Sequence, residues 1–393
     1  MSRGSIEKYQ GKNGISWHIR ICVGYNDKGD PIQQRHTAYG TKRDAEIKMR
    51  ELLQQLDKGS YIKPNKITLS EYIPKWYETH RRGLSPTTDR RYRDYINTHI
   101  LPNLGDFELQ KLTTIAIQEF INYMLERGNK CSSNIKGLSA KSVRDCIILF
   151  KQALKQAINW GMLTRNPAEG VRMPTVTRRD PVILTEEQAQ SVLDSLAGTY
   201  GYIPALISYH TGMRLGEVIA LSWNAVNLDA ATIEVRQSYT LTDEDGRPVI
   251  KEPKTKAGRR IVEVGHTLVK ALSDHRKAQL ESRIAAGATW RNNLNLVCTK
   301  VNGEPISSRA IGHLFSRRAR SLGYNVTFHG LRHTHVSMLI KAGAPINTIS
   351  ARVGHSTPSI THDIYAHLLP GMGRHAVDLF EKMLMEQSMA NPL

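Results

Sequence analysis

Two segments that lie far apart in the chain carry the residues that most constrain its fold. They are Thr211-Gly-Met-Arg-Leu-Gly-Glu217 and a stretch from Phe328 to Leu368 that contains His329-Gly-Leu-Arg-His333, Gly354-His355 and Tyr365. The planar guanidinium groups of Arg214 and Arg332 match the non-bridging oxygens of a phosphodiester bidentately. A phenol such as that of Tyr365 can displace one ester oxygen and hold the phosphate covalently. Together the segments predict a site that attacks a phosphodiester without a metal, in a fold that brings both to one cleft.

The order of these motifs resembles that of the tyrosine recombinases, and among them the phage and conjugative-transposon integrases. That family carries an Arg in a T-G-x-R-x-x-E turn, a Lys on a β-hairpin, an H-x-x-R motif, a downstream G-H and a Tyr about one short helix later. Every element is present in that order, and the resemblance spans essentially the whole chain. It implies a multidomain α+β fold, mainly α-helical, and cleavage of one DNA strand at a time through a 3′-phosphotyrosine, with strand exchange via a Holliday junction.

The resemblance also implies a role for each motif residue. The two arginines bind the phosphate, His355 donates to a non-bridging oxygen, and His329 acts as a base or hydrogen-bond partner near the tyrosine hydroxyl. Glu217 lies three residues after Arg214 on the same helical face and can orient it, although a simple surface pair is the alternative. We therefore expect no cofactor, no metal ion and this catalytic set: Arg214, Lys256, His329, Arg332, His355 and Tyr365.

The lysine has a close rival. Family members carry a catalytic Lys in a hairpin with a pattern like T-K-x-G-x-R, and Lys256 fits that position. An ammonium held against DNA can protonate the departing 5′ oxygen, which would otherwise leave as a poor alkoxide. Lys254 is two residues away and points the same way on a strand, so it remains an alternative for this role.

A cluster of histidines permits a metal interpretation. His329, His333 and His335 include a His-x-x-x-His spacing that can ligate zinc. Gly330 stands where H-E-x-x-H has its Glu, and no carboxylate follows nearby as a third ligand. We therefore predict no zinc site, and expect His333 and His335 to be packing or surface residues.

The charge of the chain favours a polyanionic partner. Its 393 residues include 54 Lys and Arg against 36 Asp and Glu, for a net charge of +18. The basic excess is spread along the chain and not gathered in a tail, so each domain is expected to meet DNA. The four cysteines are scattered, and no apolar run is long enough for a signal or membrane segment. These features predict a soluble protein of the bacterial cytoplasm, associated with the nucleoid when it acts.

Residues 1–66 are predicted to form a small unit of one sheet and one helix. Alternating residues at 17–25 and 32–39 flank a turn, and the capping box Thr41-Lys-Arg-Asp44 opens a helix through Leu56. By resemblance this is the arm-type DNA-binding domain, in which a three-stranded sheet enters the major groove. Packing of the tryptophan between sheet and helix is the alternative to DNA contact. The residues that could face DNA are Trp17, Arg20, Arg35 and His36.

Residues 67–173 are predicted to form a helical domain, followed by a proline-rich linker at 174–183. Apolar periodicity predicts helices over 73–80, 86–96, 113–127 and 140–160, with Pro102 and Gly105 separating the second from the third. By resemblance this is the core-binding, SAM-like domain, which clamps DNA opposite the catalytic domain. Six basic residues are candidate phosphate contacts, although each alone favours a solvated surface charge: Arg81, Arg82, Arg90, Arg91, Lys141 and Arg144.

Residues 184–393 are predicted to form a mixed α/β catalytic domain with a carboxyl-terminal tail. Helices are expected over 202–210, 215–221, 329–342 and 346–353, and strands over 232–239, 249–252 and 260–264. Pro358 suits the first turn of a further helix that carries Tyr365. The amphipathic segment Met372–Met389 resembles the tail that family members pass to a neighbouring subunit.

The resemblance implies that a homotetramer integrates and excises a mobile element at core and arm attachment sites in double-stranded DNA. A directionality factor and a host DNA-bending protein are further candidate partners. Two alternatives remain. A type IB topoisomerase uses nearly the same residues but has no need of an amino-terminal arm-binding unit. A non-catalytic DNA-binding regulator would explain the charge, but would not need Arg214, Arg332, His355 and Tyr365 together.

Overall fold

The computed structural model describes residues 4–11, 14–59, 61–128, 137–177, 180–240, 249–251, 258–355, 357–365, 377 and 380–381. The chain divides into two compact units, Met1–Thr177 and Arg178–Leu393. The predicted domain boundary after residue 66 falls within the first unit and stays a prediction. Lys254, Lys256 and nearly all of the tail Met372–Met389 lie outside the described residues. Within the described residues, no helix is long and apolar enough to cross a membrane.

The first unit begins with a three-stranded antiparallel sheet and a helix. The elements are β1 (Gly4–Gly11), β2 (Gly14–Tyr25), β3 (Pro31–Tyr39) and α1 (Lys42–Asp57). The strands lie in the order β1-β2-β3, so β2 is central. The predicted capping box is present, since the Thr41 side chain accepts from the Asp44 N–H at 3.3 Å and Asp44 accepts from the Thr41 N–H at 2.8 Å.

One face of this sheet packs against α1. Ile19 and Ile21 of β2 are fully buried there together with Ala45 of α1. Trp17 follows the same alternation and packs against this core, with its Nε1 donating to the Gly40 carbonyl at 3.1 Å. The packing interpretation of Trp17 is therefore confirmed.

The other candidate DNA contacts of the sheet divide between its two faces. His36 pairs directly with Ile19, and opposed residues of an antiparallel pair point to the same face. Its Nε2 lies 2.9 Å from the Tyr61 hydroxyl, so His36 lies on the face that packs against α1. Arg20 and Arg35 pair with each other on the opposite, exposed face.

The rest of the first unit is helical. The elements are α2 (Leu69–His80), α3 (Pro86–Tyr95), a π-helical turn (Ile96–Ile100), α4 (Leu101–Leu104), a 3-10 turn (Leu109–Lys111), α5 (Thr114–Arg127) and α6 (Ala140–Asn159). Helix α2 packs against α6. Tyr72 is buried and donates its hydroxyl to the Ala153 carbonyl at 2.7 Å, and the fully buried Phe150 belongs to the same core.

Pro102 does not separate two helices as predicted. The chain continues from α3 through the π-helical turn into α4, where Pro102 occupies the first turn, and the helical segment ends at Gly105. A proline ring inside an α-helix clashes with the carbonyl four residues earlier. The wider π turn, in which the Leu101 N–H bonds to the Ile96 carbonyl, gives that ring room.

The candidate phosphate contacts of the helical region include residues that already have carboxylate partners. Arg81 lies 3.3 Å from Glu78, and Arg91 lies 3.7 Å from Asp145. Both pairs are at the surface, where water and salt screen the charges. They fit the interpretation of these arginines as solvated surface charges.

The second unit mixes helices with two small sheets. Its helices are α7 (Glu186–Leu196), α8 (Tyr202–Thr211), α9 (Leu215–Ile219), α10 (His266–Ala286), α11 (Ser308–Ser321), α12 (His329–Lys341), α13 (Ile346–Val353) and α14 (Pro358–Tyr365), with 3-10 turns at Trp223–Ala225 and Gly287–Thr289. Its strands are β4 (Val226–Asn227), β5 (Thr232–Val235), β6 (Ser238–Thr240), β7 (Val249–Lys251) and β8 (Arg260–Glu263).

The strand predicted over 232–239 is divided between the two sheets. β5 joins the sheet of order β4-β5-β8, whereas β6 pairs with β7 alone. The core beneath them holds the helices that carry the motifs, since Ile207 of α8, Phe315 of α11 and Leu331 of α12 are all buried in it. The mainly helical α+β architecture predicted from the sequence is confirmed.

Candidate active site

The first motif forms the tight turn between α8 and α9. Gly212 ends α8 with φ 67° and ψ 13°, a left-handed conformation that glycine adopts without strain. A Cβ at this position would lie 2.8 Å from both His335 and Val353, so the packing also requires glycine. Arg214 follows as the N-cap residue of α9, and its side chain projects from the turn with 41% of its surface exposed.

Glu217 holds Arg214 from one helical turn away. Its Oε1 accepts from Nη1 of Arg214 at 2.9 Å, and its Oε2 accepts from the Arg214 backbone N–H at 3.0 Å. The carboxylate itself is only 4% exposed. The orientation of Arg214 by Glu217 that the sequence indicated is therefore present, and it uses a buried charge and not a surface pair.

Glu217 stays ionised although it is buried. Burial alone raises the pKa of a carboxyl group, because it disfavours the charged form. Hydrogen bonding from Arg260 and the positive charges of Arg260 and Arg214 more than offset this, and the pKa of Glu217 lies below its ordinary value. The carboxylate therefore carries a full negative charge between two guanidinium groups.

Arg332 is the most deeply buried charge of the second motif. It lies in the first turn of α12 and is 2% exposed. Its Nη1 donates to the carbonyl oxygens of Gly212 and Val353, each at 2.7 Å. These carbonyls come from the ends of α8 and α13, so one guanidinium nitrogen ties together two helix ends that the sequence places far apart.

Arg214 also bonds to the end of α13. Gly354 ends α13 in the left-handed conformation, with φ 72° and ψ 50°. Its carbonyl accepts from Nη2 of Arg214 at 3.0 Å. Arg332 thus contacts Gly212, two residues before Arg214, and Val353, the residue before Gly354. Arg214 contacts Gly354 itself, so the two arginines are fixed relative to each other before any substrate binds.

His355 continues from the same helix end. Its backbone N–H donates to the Ser350 carbonyl at 3.0 Å, and its Nδ1 lies 2.7 Å from the hydroxyl of Thr361, a buried residue of α14. Burial, followed by the charges of Arg332 and Arg214, lowers the pKa of His355 to about 4. The ring is therefore neutral near pH 7 and keeps one N–H to donate.

His329 lies at the mouth of the site. Its ring meets that of His333 edge to face, with 4.8 Å between the centroids. Loss of water around the ring, then the charges of Arg332 and Arg214, lower the pKa of His329. Beside it opens a cleft of about 400 Å³, whose lining includes His329, Leu215, His313 and Arg320.

The histidines do not converge as zinc ligands would. The Nδ1 of His335 lies 2.9 Å from the Tyr209 carbonyl, and its Nε2 accepts from Arg352 at 3.2 Å. A Cβ at Gly330 would lie 2.1 Å from Val326, so the glutamate of an H-E-x-x-H motif would not fit this helix. In the part of the chain that the structure describes, no group of three His, Cys, Asp or Glu side chains is arranged to hold a metal ion.

The structure thus brings together four of the six predicted residues: Arg214, His329, Arg332 and His355. Lys256 and its rival Lys254 follow β7 and lie outside the described residues. Tyr365 is the last residue of α14, about one helical turn after Thr361 along the backbone.

Arg260 is a site residue that the sequence reasoning missed. It begins β8, is 7% exposed, and its Nη2 donates to Oε2 of Glu217 at 2.8 Å. A signal was available, because Arg260 occupies the last position of the T-K-x-G-x-R pattern that pointed to Lys256.

Two family profiles match this chain. The profile of the phage integrase family covers residues 183–371, and that of the phage integrase N-terminal SAM-like domain covers residues 68–125. Among similar proteins is a XerC-like tyrosine recombinase of Caldanaerobacter subterraneus, 27% identical over 394 residues, which span 95% of this chain and 98% of the relative. The ICEBs1 integrase of Bacillus subtilis is 26% identical over 391 residues, which span 97% of this chain and 100% of the relative.

Solved structures of integrases share the fold. The Tn1549 transposon integrase in complex with transposon right end DNA matches with a TM-score of 0.64 at 22% identity, over 79% of this chain and 98% of that one. A lambda integrase tetramer bound to a Holliday junction matches with a TM-score of 0.56 at 17% identity, over 91% and 94% of the two chains. With two arginines bonded to the ends of α8 and α13, the family profiles and the similar proteins identify the chain as a member of the phage integrase family of tyrosine recombinases, a site-specific DNA recombinase.

Proposed function

We propose that this recombinase integrates and excises a mobile element, and that Tyr365 attacks the DNA with Arg214, Lys256, His329, Arg332 and His355 as the other catalytic residues. The observation that carries the proposal is the fixed pair of arginines. Both are tied to glycine-containing helix ends by backbone carbonyls, with His329 and His355 close enough to sense their charge.

The arginines bind the scissile phosphate. Charge on its non-bridging oxygens is stabilised by guanidinium groups that need no reorganisation when the substrate arrives. Burial of Arg332 strengthens this attraction, since water does not screen a charge in the interior as it does at the surface. The neutral His355 adds one neutral N–H donor to a non-bridging oxygen.

The histidine at the mouth suits proton removal. A base must be unprotonated before the reaction, and the lowered pKa keeps His329 neutral near pH 7. It accepts the phenolic proton as Tyr365 bonds to phosphorus. The bond from phosphorus to the 5′ oxygen breaks, and Lys256 supplies the proton that makes this oxygen a hydroxyl.

The covalent intermediate then conserves the energy of the broken ester. The phosphate is held as a 3′-phosphotyrosine, and the 5′ hydroxyl of a partner duplex attacks it and releases the tyrosine. Reciprocal exchange produces a Holliday junction, and resolution repeats the chemistry on the second pair of strands. The sequence of steps consumes no ATP, because each ester bond that breaks is matched by one that forms.

The remaining segments supply DNA contacts. Residues 1–66 act as an arm-binding domain, whose sheet presents Arg20 and Arg35 on the face away from α1. Residues 67–173 act as the core-binding domain. In the second unit, the exposed His313 and Arg320 of α11 line the cleft beside His329 and contact the duplex there. A net charge of +18 supports all three contacts.

Assembly completes the proposal. A homotetramer binds two core sites, and a directionality factor and a host DNA-bending protein select integration or excision. A topoisomerase of type IB is the second candidate function, because it would use the same cluster. The sheet and helix of residues 4–57 favour the integrase, since relaxation of supercoils requires no second DNA-binding unit.

The test is recombination of two plasmids that carry the attachment sites, which sequencing of the element's junctions provides. Wild-type protein is expected to join the plasmids with EDTA present and without ATP. A supercoiled plasmid without sites serves as the control. Site-independent relaxation of that control, with no joined product even when host extract is added, would favour the topoisomerase and contradict the proposal.

A further inference from the structure

Arg260 makes contacts that its position on a small sheet does not require. Its Nε donates to the Arg352 carbonyl at 2.7 Å, Nη2 donates to Glu217 at 2.8 Å, and Nη1 lies 3.3 Å from the Gly258 carbonyl. A buried charge is expensive unless it is paired and hydrogen-bonded. The contacts above meet this need, since all three guanidinium nitrogens of Arg260 have partners, and these partners come from different parts of the fold.

The partners of Arg260 lead directly to the phosphate-binding residues. Glu217 is the carboxylate that holds Arg214. The Arg352 carbonyl is followed by Val353, whose carbonyl accepts from Arg332, and then by Gly354, whose carbonyl accepts from Arg214. One side chain thus connects the start of β8 to both sides of the arginine pair.

We infer that Arg260 is a positioning residue of the recombinase, which fixes the Glu217 carboxylate and the end of α13 so that Arg214 meets the phosphate in a single geometry. The inference rests on the proposed role of Arg214 in phosphate binding. Arg260 itself lies behind Glu217 and does not reach the DNA, since 7% of its side chain is exposed.

The planar fork of arginine is what this position uses. A lysine would bring the same charge to Glu217. Its single ammonium group cannot also donate to the Arg352 carbonyl in the fixed planar geometry of a guanidinium. Charge and geometry can therefore be separated by substitution. Arg260→Lys removes the fork alone, and Arg260→Gln removes the charge as well.

Loss of the charge has its own signature. Arg214 of α9, Arg260 of β8 and His329 of α12 are the ionisable groups whose charges interact with Glu217 among the described residues. Hydrogen bonding from Arg260 lowers the pKa of Glu217 against the effect of burial, so without Arg260 that pKa rises. A protonated Glu217 no longer anchors Arg214, and the acid-side fall in activity should move to higher pH.

The experiment measures the rate of covalent adduct formation on a nicked suicide duplex between about pH 5 and pH 9. For Arg260→Gln we expect a loss of about 10²-fold, the cost of misplacing a catalytic group, with the acid limb displaced to higher pH. For Arg260→Lys we expect a smaller loss of about tenfold, with the acid limb close to that of the wild type. The double variant Arg260→Gln/Glu217→Gln should show no displaced limb, because no carboxyl group is left to titrate.

The controls separate this inference from the proposed function. Lys300→Gln breaks the exposed pair of Lys300 with Glu304 and is expected to leave rate and pH profile unchanged. Thermal unfolding of each variant accounts for loss of folded protein, and Arg260→Lys remains informative if Arg260→Gln does not fold. Failure of the wild type to form an adduct would remove the proposed function. Two results would overturn the positioning role while the wild type still forms an adduct. One is an acid limb that does not move in Arg260→Gln, and the other is an equal loss of rate in the Lys and Gln variants at every pH.

Discussion

Arginine is used in opposite ways at the proposed catalytic cluster and on the amino-terminal sheet. At the cluster, Arg332 is 2% exposed and bonded to backbone carbonyls, and Arg260 meets Glu217 at 2.8 Å with both side chains buried. On the sheet, Arg20 meets Glu7 at 3.0 Å, with 49% and 64% of the two side chains exposed. The same residue type therefore forms a rigid framework in one region and a solvated surface in the other.

The difference matches the two kinds of DNA contact that we propose for these regions. Stabilisation of a transition state requires groups that are in place before the reaction begins. Binding along a phosphate backbone tolerates long side chains that move, because its affinity comes mainly from charge and counterion release. Substitutions at the cluster should therefore change the rate of chemistry, and substitutions on the sheet should change binding and its dependence on salt.

The largest effect is expected for Lys256, which the proposed mechanism places at the leaving oxygen. Lys256→Ala should slow cleavage of normal DNA by about 10²- to 10⁴-fold, since it removes a general acid. A duplex with a 5′-bridging phosphorothiolate should restore most of the rate, because sulfur leaves without protonation. Lys254→Ala is the matched control. Rescue of the Lys254 variant, or equal loss of the Lys256 variant on both duplexes, would assign the role to a different residue.

A conservative substitution sharpens the comparison of the two regions. Arg332→Lys should slow adduct formation by about 10²- to 10³-fold, because a point charge replaces the guanidinium that bonds Gly212 and Val353 and that we propose binds the phosphate. Arg20→Lys keeps the charge of a solvated residue and should leave the adduct rate unchanged. Both rates are read from suicide duplexes under single-turnover conditions. Similar rates for the two variants would mean that burial of Arg332 has no catalytic importance.

The framework can also be tested without touching a charge. Gly212→Ala places a Cβ at 2.8 Å from His335 and Val353, whereas Gly198, with a comparable φ of 70°, has no atom within 4 Å of the added carbon. Both variants incur left-handed backbone strain, so the difference reports the packing. Gly212→Ala should be less stable than Gly198→Ala by about 1–3 kcal/mol in chemical denaturation. Equal stabilities would show that the turn is not packed as tightly as described.

The smallest effect on chemistry is expected from removal of the sheet. The Gln110 side chain bonds to the Lys63 carbonyl and to the Asn65 N–H at 3.0 Å each, so a fragment should begin at Lys63 to keep these contacts. It should form the adduct on a short core-site duplex within a few-fold of the intact chain, but lose arm-site binding and recombination of full sites. Recombination of full sites at the wild-type level would remove the arm-binding role from residues 1–66.

The features that could be predicted from the sequence are those set by interactions between residues close together in the chain, or by motifs in a recognisable order. Caps such as Thr41 with Asp44 depend on neighbours three residues apart, and the motifs from Arg214 to Tyr365 have an order typical of one family. The face of the sheet on which His36 lies was not predicted, because it depends on the register between β2 and β3. The contacts of Arg260 were missed for a similar reason, since they join segments that meet only in the folded chain.

The central claim is that Tyr365 is the nucleophile of a site-specific recombinase. The measurement is denaturing gel electrophoresis of protein incubated with a nicked suicide duplex that carries the core site, with wild type and Tyr365→Phe compared at equal site occupancy. Because phenylalanine keeps the ring and removes only the hydroxyl, the variant should bind the duplex within a few-fold of the wild type and form no covalent adduct. An adduct trapped by Tyr365→Phe would contradict the account.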